Sequence, residues 1–220
     1  VRPERASYDA ATGTRLLLAY LAVGLVLHPA VRALARAAGA TGYWVRPAIV
    51  VTLLVAVILM MKWFVRASGA TIGLHRWKAW TRREKIYVLT VVPLAAVAFG
   101  IVFREHFAWL AETGGWTRLL LVLPTGLLWG VVQELIYRGL LQTELVRRFG
   151  AVTGVLSANF VFTFGPLHSN YFGFGSDAGP QWSMYAAIFG IGLFFGLVYQ
   201  RSGNLWIPAL LHGIWPLNMA

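Results

Sequence analysis

Residues 47–66 read PAIVVTLLVAVILMMKWFVR, and no charged side chain occurs between Pro47 and Met61. A helix needs about 20 predominantly apolar residues to cross the hydrocarbon core of a bilayer, and this stretch supplies them. Its continuous apolar character differs from the alternating segments of about ten residues that form an outer-membrane barrel. The stretch therefore predicts a transmembrane helix over Pro47–Arg66.

Six further apolar segments, one before this stretch and five after it, give the same prediction. Hydrophobic residues make up 58% of the 220 residues and charged residues 12%, about half the charged share of a typical soluble domain. We therefore predict an all-α, polytopic transmembrane helix bundle of about seven spans, which forms one integral membrane domain over residues 1–220. The other predicted spans are Arg15–Ala38, Lys85–Phe107, Trp116–Phe149, Ala151–His168, Trp182–Gln200 and Asn204–Leu217.

The ends of two spans carry further predictions. The fourth span is longer than a bilayer requires, so its last two turns, with Arg147 and Arg148, are expected to emerge into water and stop at Gly150. No signal-peptide cleavage pattern is evident near the first span, which predicts that this span is retained.

The basic residues predict the orientation. With the N-terminus in the cytoplasm, thirteen basic residues fall in cytoplasmic segments and five in outer segments, as the positive-inside rule requires. We expect the membrane to be the bacterial inner (plasma) membrane. The thirteen are Arg2, Arg5, Arg15, Lys62, Arg66, Arg76, Lys78, Arg82, Arg83, Lys85, Arg147, Arg148 and Arg201, and the five are Arg32, Arg36, Arg46, Arg104 and Arg118.

The segment Arg66–Lys85 is rich in basic residues and is predicted to lie on the inner leaflet, where anionic lipids attract it. The net charge of +11 is thus mostly a consequence of topology, and it predicts membrane lipids, not nucleic acid, as partners. The chain has no cysteine, so a thiolate metal site is excluded. We predict no cofactor and no metal.

Polar side chains inside three spans carry the candidate chemistry. Glu134 and Arg138 are four residues apart, so they share a helix face and can form an ion pair, with Gln133 beside them. His168 closes the fifth span, and His212 lies in the last one. Charges inside a bilayer are costly, so such residues have a partner or a task. This set suits activation of water by a carboxylate and an imidazole, with further donors on the oxyanion.

The polar residues form three short motifs that resemble those of the CAAX-protease and bacteriocin-processing family, which includes the Ras-converting-type endopeptidases and the myxosortases. The resemblance covers roughly residues 119–218. It implies that Glu134, the second acidic position of the first motif, is held by Arg138. The motifs are Gln133-Glu134-x-x-x-Arg138, Phe164-x-x-x-His168, and His212 with the later Asn218.

The resemblance implies a glutamic-type intramembrane endopeptidase that cleaves membrane-anchored or lipidated protein substrates. It implies that position 133 supplies the general base and that His168 is its partner in activating the attacking water. It also implies that His212 and a nearby asparagine, here Asn218, form the oxyanion site.

Two positions depart from the family pattern. The family has a glutamate where this chain has Gln133, and an amide cannot accept a proton at useful pH. The family also has an asparagine four residues after the third-motif histidine, where Pro216 stands here and Asn218 follows.

The amide at position 133 has three interpretations. The chain is a natural pseudoenzyme, or Glu134 has taken over as the base, or a deliberate Glu-to-Gln change traps an inactive form. The third interpretation agrees best with the intact residues around Gln133, and it predicts an impaired or inactive protease.

Other classes and features have their own interpretations. A non-catalytic membrane scaffold or immunity-type pseudoprotease fits the amide, and a zinc hydrolase could use Glu134, His168 and His212 as ligands. No internal repeat supports a transporter. His168 near the outer end of its span favours a cavity open to the outer face, which suits removal of C-terminal anchors from exported proteins. His28, beside Pro29, is interpreted as a span-end residue.

Overall fold

The computed structural model describes residues 8–40, 44–172 and 179–214, and these residues form helices and connecting turns without a strand. The all-helical prediction is confirmed. The first helical run is continuous and consists of α1 (Ala10–Tyr20), a π-helical segment (Leu21–Leu27) and α2 (His28–Ala37). Asp9 begins α1 because its carboxylate accepts a hydrogen bond from the backbone N–H of Thr12.

The second helical run contains the stretch that predicted the fold. It consists of α3 (Val45–Leu59) and a π-helical segment (Met60–Val65). Two 3₁₀ turns, Gly69–Ile72 and Trp77–Ala79, lie in the basic segment that follows. Helix α4 (Arg82–Val102) begins at a capping box, in which Thr81 and Glu84 satisfy each other's backbone N–H groups.

The longest helical run consists of α5 (Arg104–Glu134), a π-helical segment (Leu135–Gln142) and α6 (Thr143–Phe149). The predicted break between the third and fourth spans, over residues 108–115, is wrong, because the chain bends instead at Phe103 and is helical from Arg104 onward. At 1.5 Å per residue the run is about 70 Å long, more than twice the hydrocarbon core. At least one of its ends therefore lies outside the core, and α6 is the end predicted to emerge into water.

Three shorter helices complete the bundle. Gly150 adopts φ 80° and separates α6 from α7 (Ala151–Phe164), as predicted. Helix α7 stops at Phe164, four residues earlier than predicted, because Gly165 is extended and a 3₁₀ segment (Pro166–Phe172) follows. Helices α8 (Trp182–Ser202) and α9 (Trp206–Gly213) come last, and the predicted end of the seventh span at Leu217 lies outside the described residues.

The polytopic membrane prediction is confirmed by length and composition. Among the described residues, four helical runs are long and apolar enough to cross a membrane: Ala10–Ala37, Val45–Val65, Arg82–Val102 and Trp182–Ser202. Helices α7 and α9 have 14 and 8 residues, so neither can cross the hydrocarbon core alone. They pack instead on longer neighbours, α7 against α8 and α9 against α5.

The distribution of side chains is the reverse of that in a soluble protein. Large apolar residues are exposed along the outside, such as Leu94 and Val102 of α4, which are 68% and 70% exposed. Arg138, Glu134 and Gln142 are among the largest fully buried side chains. An apolar exterior is what lipid requires, and the buried polar groups need partners inside the bundle.

The backbone of helix α8 accepts hydrogen bonds from three buried polar side chains. Its carbonyl oxygens at residues 189, 192 and 196 accept hydrogen bonds from buried side chains of the neighbouring helices. The bonds are Asn159 Nδ2 to Phe189 O at 3.0 Å, Arg138 Nη2 to Gly192 O at 2.7 Å and Gln142 Nε2 to Gly196 O at 2.9 Å. A carbonyl oxygen has two lone pairs, so it accepts these bonds in addition to its helical bond.

A second polar cluster joins α6 to the start of α1, at the end of the helical run that is predicted to emerge into water. The buried carboxylate of Glu144 accepts hydrogen bonds from Arg147 at 2.7 Å and 2.5 Å, from Arg148 at 2.5 Å and from the Tyr8 hydroxyl at 3.0 Å. Burial raises the pKa of this carboxyl, but these hydrogen bonds outweigh burial and hold the pKa below its usual range. Gly13 lies against the same carboxylate, where a Cβ would overlap it.

Candidate active site

The centre of the site is a buried ion pair. Glu134 is the last residue of α5 and Arg138 lies one turn later, which confirms that the two share a helix face. Arg138 Nε lies 3.3 Å from Glu134 Oε2, and the two side chains are 1% and 0% exposed. The guanidinium also lies over the ring of Phe162, 4.4 Å from its centroid. Phe162 of α7 and the carbonyl of Gly192 therefore keep the cation in place beside the carboxylate.

His212 completes the environment of this carboxylate. Its Nδ1 lies 2.8 Å from Glu134 Oε1. Because a carboxylate oxygen can only accept, Nδ1 is protonated and donates a hydrogen bond to Glu134. Helix α9 can bring the ring this close because it crosses α5 at two glycines. A Cβ at Gly130 would overlap the backbone of Gly213, and a Cβ at Gly213 would crowd Leu127.

His168 approaches from the end of α7. The chain leaves the helix after Phe164, and the 3₁₀ segment turns His168 back toward α7. Its Nδ1 donates to the carbonyl of Phe162 at 2.8 Å, and the Tyr185 hydroxyl donates to the carbonyl of His168 at 3.0 Å. Because Nδ1 is a donor, Nε2 of the neutral ring carries a lone pair and can accept a proton.

One aromatic ring separates the two imidazoles. The Phe162 ring centroid lies 4.9 Å from that of His168 and 6.1 Å from that of His212, in edge-to-face arrangements. Phe164, which the motif comparison singled out, stacks instead on Tyr185 at 5.1 Å. The motif pattern missed Phe162, since its position facing Arg138 follows only from the packing of α7.

Gln133 is 3% exposed, and its Oε1 has no hydrogen-bond partner among the described residues. Within the described part of the chain, two atoms in the π-helical segment after α5 and two on α7 also lack a partner: Tyr137 Oη, Arg138 Nη1, Asn159 Oδ1 and Thr163 Oγ1. Unsatisfied buried polar groups are rare in native proteins and are usually met by water or a ligand. Their concentration around α5 and α7 identifies this region as the polar interior of the bundle.

The structure tests the zinc alternative but not the predicted role of Asn218. In residues 8–40, 44–172 and 179–214, no three histidine or carboxylate side chains are gathered closely enough to hold a metal ion, so the zinc alternative lacks a ligand set there. Asn218 and Pro216 lie outside the described residues. The part of Asn218 in the site therefore stays a prediction.

A polar site buried within a polytopic helical bundle defines the class of this molecule, an integral membrane protein with internal titratable groups. Residues 114–217 match the family described as type II CAAX prenyl endopeptidase, Rce1-like. The match confirms, for this part of the chain, the resemblance predicted from the three motifs. The matched residues include Glu134, Arg138, His168 and His212.

The comparison with curated proteins finds one bacterial relative of uncharacterized function. The uncharacterized protein YpbD of Bacillus subtilis (strain 168) is 25% identical over 136 residues, which are 59% of this chain and 61% of YpbD. The chain thus spans about three fifths of the length of this relative. No solved structure matches the chain.

Proposed function

We propose that this chain is an intramembrane endopeptidase in an inactive form, which lacks only the carboxylate at position 133. Its substrates are membrane-anchored or lipidated proteins, and it acts in the bacterial plasma membrane. The buried Oε1 of Gln133, which has no hydrogen-bond partner in the described part of the chain, carries this proposal together with the neighbouring Glu134–Arg138 pair and the family match. An amide of nearly the same shape as glutamate occupies a position where a base is required.

The contacts of Glu134 argue against its use as the base. One carboxylate oxygen accepts a hydrogen bond from His212, and the other faces Arg138. Both oxygens of this carboxylate therefore face a partner, and neither is free to take a proton from the attacking water. We infer that Glu134 positions His212, while the proton of water goes to the carboxylate that Gln133→Glu would supply.

The proposed reaction is amide hydrolysis. The restored carboxylate, with Nε2 of His168, removes a proton from water, and the oxygen of that water attacks the carbonyl carbon of the scissile bond. The developing oxyanion is stabilised from the side of His212 and Arg138. The C–N bond then breaks, the proton passes to the leaving amine, and a new carboxyl and a new amine terminus result.

Donation from His212 Nε2 to the oxyanion requires a second proton on the ring, since Nδ1 already donates to Glu134. The carboxylate of Glu134 at 2.8 Å supplies the compensating negative charge. This arrangement parallels the orienting role of the carboxylate in a Ser-His-Asp triad.

We also infer a single membrane domain, because the N-terminal helical run packs directly on the family-matched segment.

The amide at position 133 by itself favours a second candidate, a non-catalytic membrane scaffold. A comparison of newly formed protein termini in host membranes and medium separates the two. Four strains are compared: a deletion, one with this chain, one with Gln133→Glu and one with Gln133→Glu/His168→Ala. Cleavage in the Gln133→Glu strain alone supports the protease and identifies its substrates.

The other outcomes point elsewhere. Cleavage by the chain as it stands would move the base to Glu134 or to another group. Cleavage that survives His168→Ala would remove that histidine from the mechanism. The same set of protein termini in all four strains would overturn the protease hypothesis and favour the scaffold.

A further inference from the structure

The N-terminal helical run lies antiparallel to α5 along the whole polar part of that helix. The ring centroids of Tyr20 and Tyr137 are 5.8 Å apart, a Cβ at Gly24 would lie 3.0 Å from Ile136 Cγ2, and the rings of His28 and Trp129 are 5.5 Å apart. Gln133 lies midway between Trp129 and Tyr137, one turn from each and on the same face. It therefore faces the part of the first helical run that ends at His28.

His28 has the attributes of a site residue. It is 3% exposed, and its Nε2 is buried without a hydrogen-bond partner in the described part of the chain. An unsatisfied buried nitrogen destabilises the folded protein, so a partner such as water or substrate is needed. His28 also lies close enough to His168 for a charge on one ring to act on the other.

The local backbone explains how His28 reaches this place. A π-helical segment, Leu21–Leu27, immediately precedes it, and such segments shift the side-chain register and recur at functional sites. A π-helical segment also follows Glu134 directly, over Leu135–Gln142. The two register shifts occur on neighbouring helices, one just before His28 and the other just after Glu134.

We propose that His28 holds the attacking water together with position 133 and His168. The proposal rests on the proposed function, and it assigns a positioning residue to a helix outside the family-matched segment 114–217. A buried water molecule typically makes about three hydrogen bonds, and a base and one imidazole supply only two partners. The Nε2 atom of His28 supplies the third and fixes the direction from which the water attacks.

The test uses the purified full chain with Gln133→Glu and a synthetic peptide that spans the cleavage site found by the terminus comparison. His28→Phe keeps a ring against Trp129 but removes the polar atom. His28→Gln restores a polar atom as many bonds from Cβ as Nε2 is. Val26→Phe is the control, because Val26 lies in the same helical run and is 65% exposed.

We expect His28→Phe to lower kcat about 10- to 100-fold with KM changed less than about twofold, because a misplaced nucleophile costs up to about 100-fold in rate. His28→Gln should recover most of that loss, and Val26→Phe should have no effect. The thermal unfolding temperature of each variant in detergent is measured in parallel, so that the loss of kcat is read only from folded protein.

Three results would overturn the proposal in distinguishable ways. If Gln133→Glu cleaves the peptide and His28→Phe cleaves it equally well, His28 has no such role and the proposed function stands. If His28→Gln is as slow as His28→Phe while both are folded, a polar atom at the place of Nε2 does not restore the rate and the water-holding role is wrong. If Gln133→Glu cleaves nothing, the proposed function falls and this inference falls with it.

Discussion

Nδ1 of His212 lies 2.8 Å from Oε1 of Glu134, although 78 residues separate the two along the chain. The contact joins α9 to the end of α5 and fixes which nitrogen of His212 carries its proton. Arg138 approaches the other oxygen of the same carboxylate at 3.3 Å. Glu134 is therefore the residue through which the first and third motifs become one site.

Replacing Glu134 should destabilise the protein more than any other single change in the site. Glu134→Gln leaves the fully buried Arg138 without its counter-charge, and breaking a buried pair costs about 3–5 kcal/mol. Glu134→Gln/Arg138→Met removes both charges and should recover much of the loss. Thermal unfolding in detergent measures both variants. An equal loss in the single and double variants would mean that the pair has no stabilising interaction.

The two nitrogens of His212 can be tested separately. His212→Asn keeps a donor near Nδ1, which can still reach Glu134, but it removes Nε2. In the Gln133→Glu protein we expect the thermal unfolding temperature to be retained and kcat to fall about 100- to 1,000-fold, as for loss of an oxyanion donor. His212→Leu removes both nitrogens and should lower both quantities. Full activity of His212→Asn would contradict the oxyanion role.

The crossing of α5 and α9 should not tolerate a methyl group. Gly130→Ala places a Cβ against the backbone of Gly213 and the carbonyl of Ala209, so we expect a loss of about 1–3 kcal/mol from overpacking. Gly190→Ala is the matched control, since a Cβ there meets nothing within 4 Å. The thermal unfolding temperatures of the two variants are compared. An equal effect at both positions would mean that the crossing is not the tight point of the bundle.

The cluster around Glu144 should make stability depend on acid pH. The folded pKa of Glu144 is lowered by its hydrogen bonds to Arg147, Arg148 and Tyr8, which outweigh the opposing effect of burial. Its contribution to stability is therefore present above the ordinary carboxyl range and is lost as the pH falls through the folded pKa.

Glu144→Gln tests this dependence. We expect the variant to unfold at a lower temperature near neutral pH, and the difference from the parent chain to shrink below about pH 4. Glu112→Gln is the control for loss of a carboxylate elsewhere, because Glu112 is exposed on α5. A difference that stays constant with pH would show that the charge of Glu144 is not what stabilises the contact.

Hydropathy alone predicted the helical membrane class, and the spacing of Glu134 and Arg138 predicted their ion pair. Both predictions needed only local information, namely the length of apolar runs and the period of a helix. The break predicted over residues 108–115 was wrong because Glu112, Gly114 and Gly115 resemble a loop in composition, whereas the backbone there is helical.

The residues that sequence reasoning missed depend on contacts between distant helices. His28 was interpreted as a span-end residue, yet it packs on Trp129 in the interior. Phe162 carries no polar signal and gains its place between Arg138 and the two imidazoles only when α7 docks. The π-helical segments had no signal in the pattern of apolar residues, and they decide which side chains turn inward.

The three hydrogen bonds to α8 have a consequence for how the bundle assembles. Lipid tails and apolar side chains are equally apolar, so apolar contact between two helices does little to fix their relative position along the helix axes. The carbonyls at residues 189, 192 and 196 fix the axial position of α8. A shift of α8 by a single residue would break all three hydrogen bonds at once. A few polar atoms thus determine the register of α8 in the bundle, while the surrounding apolar surface only keeps the helix in the membrane.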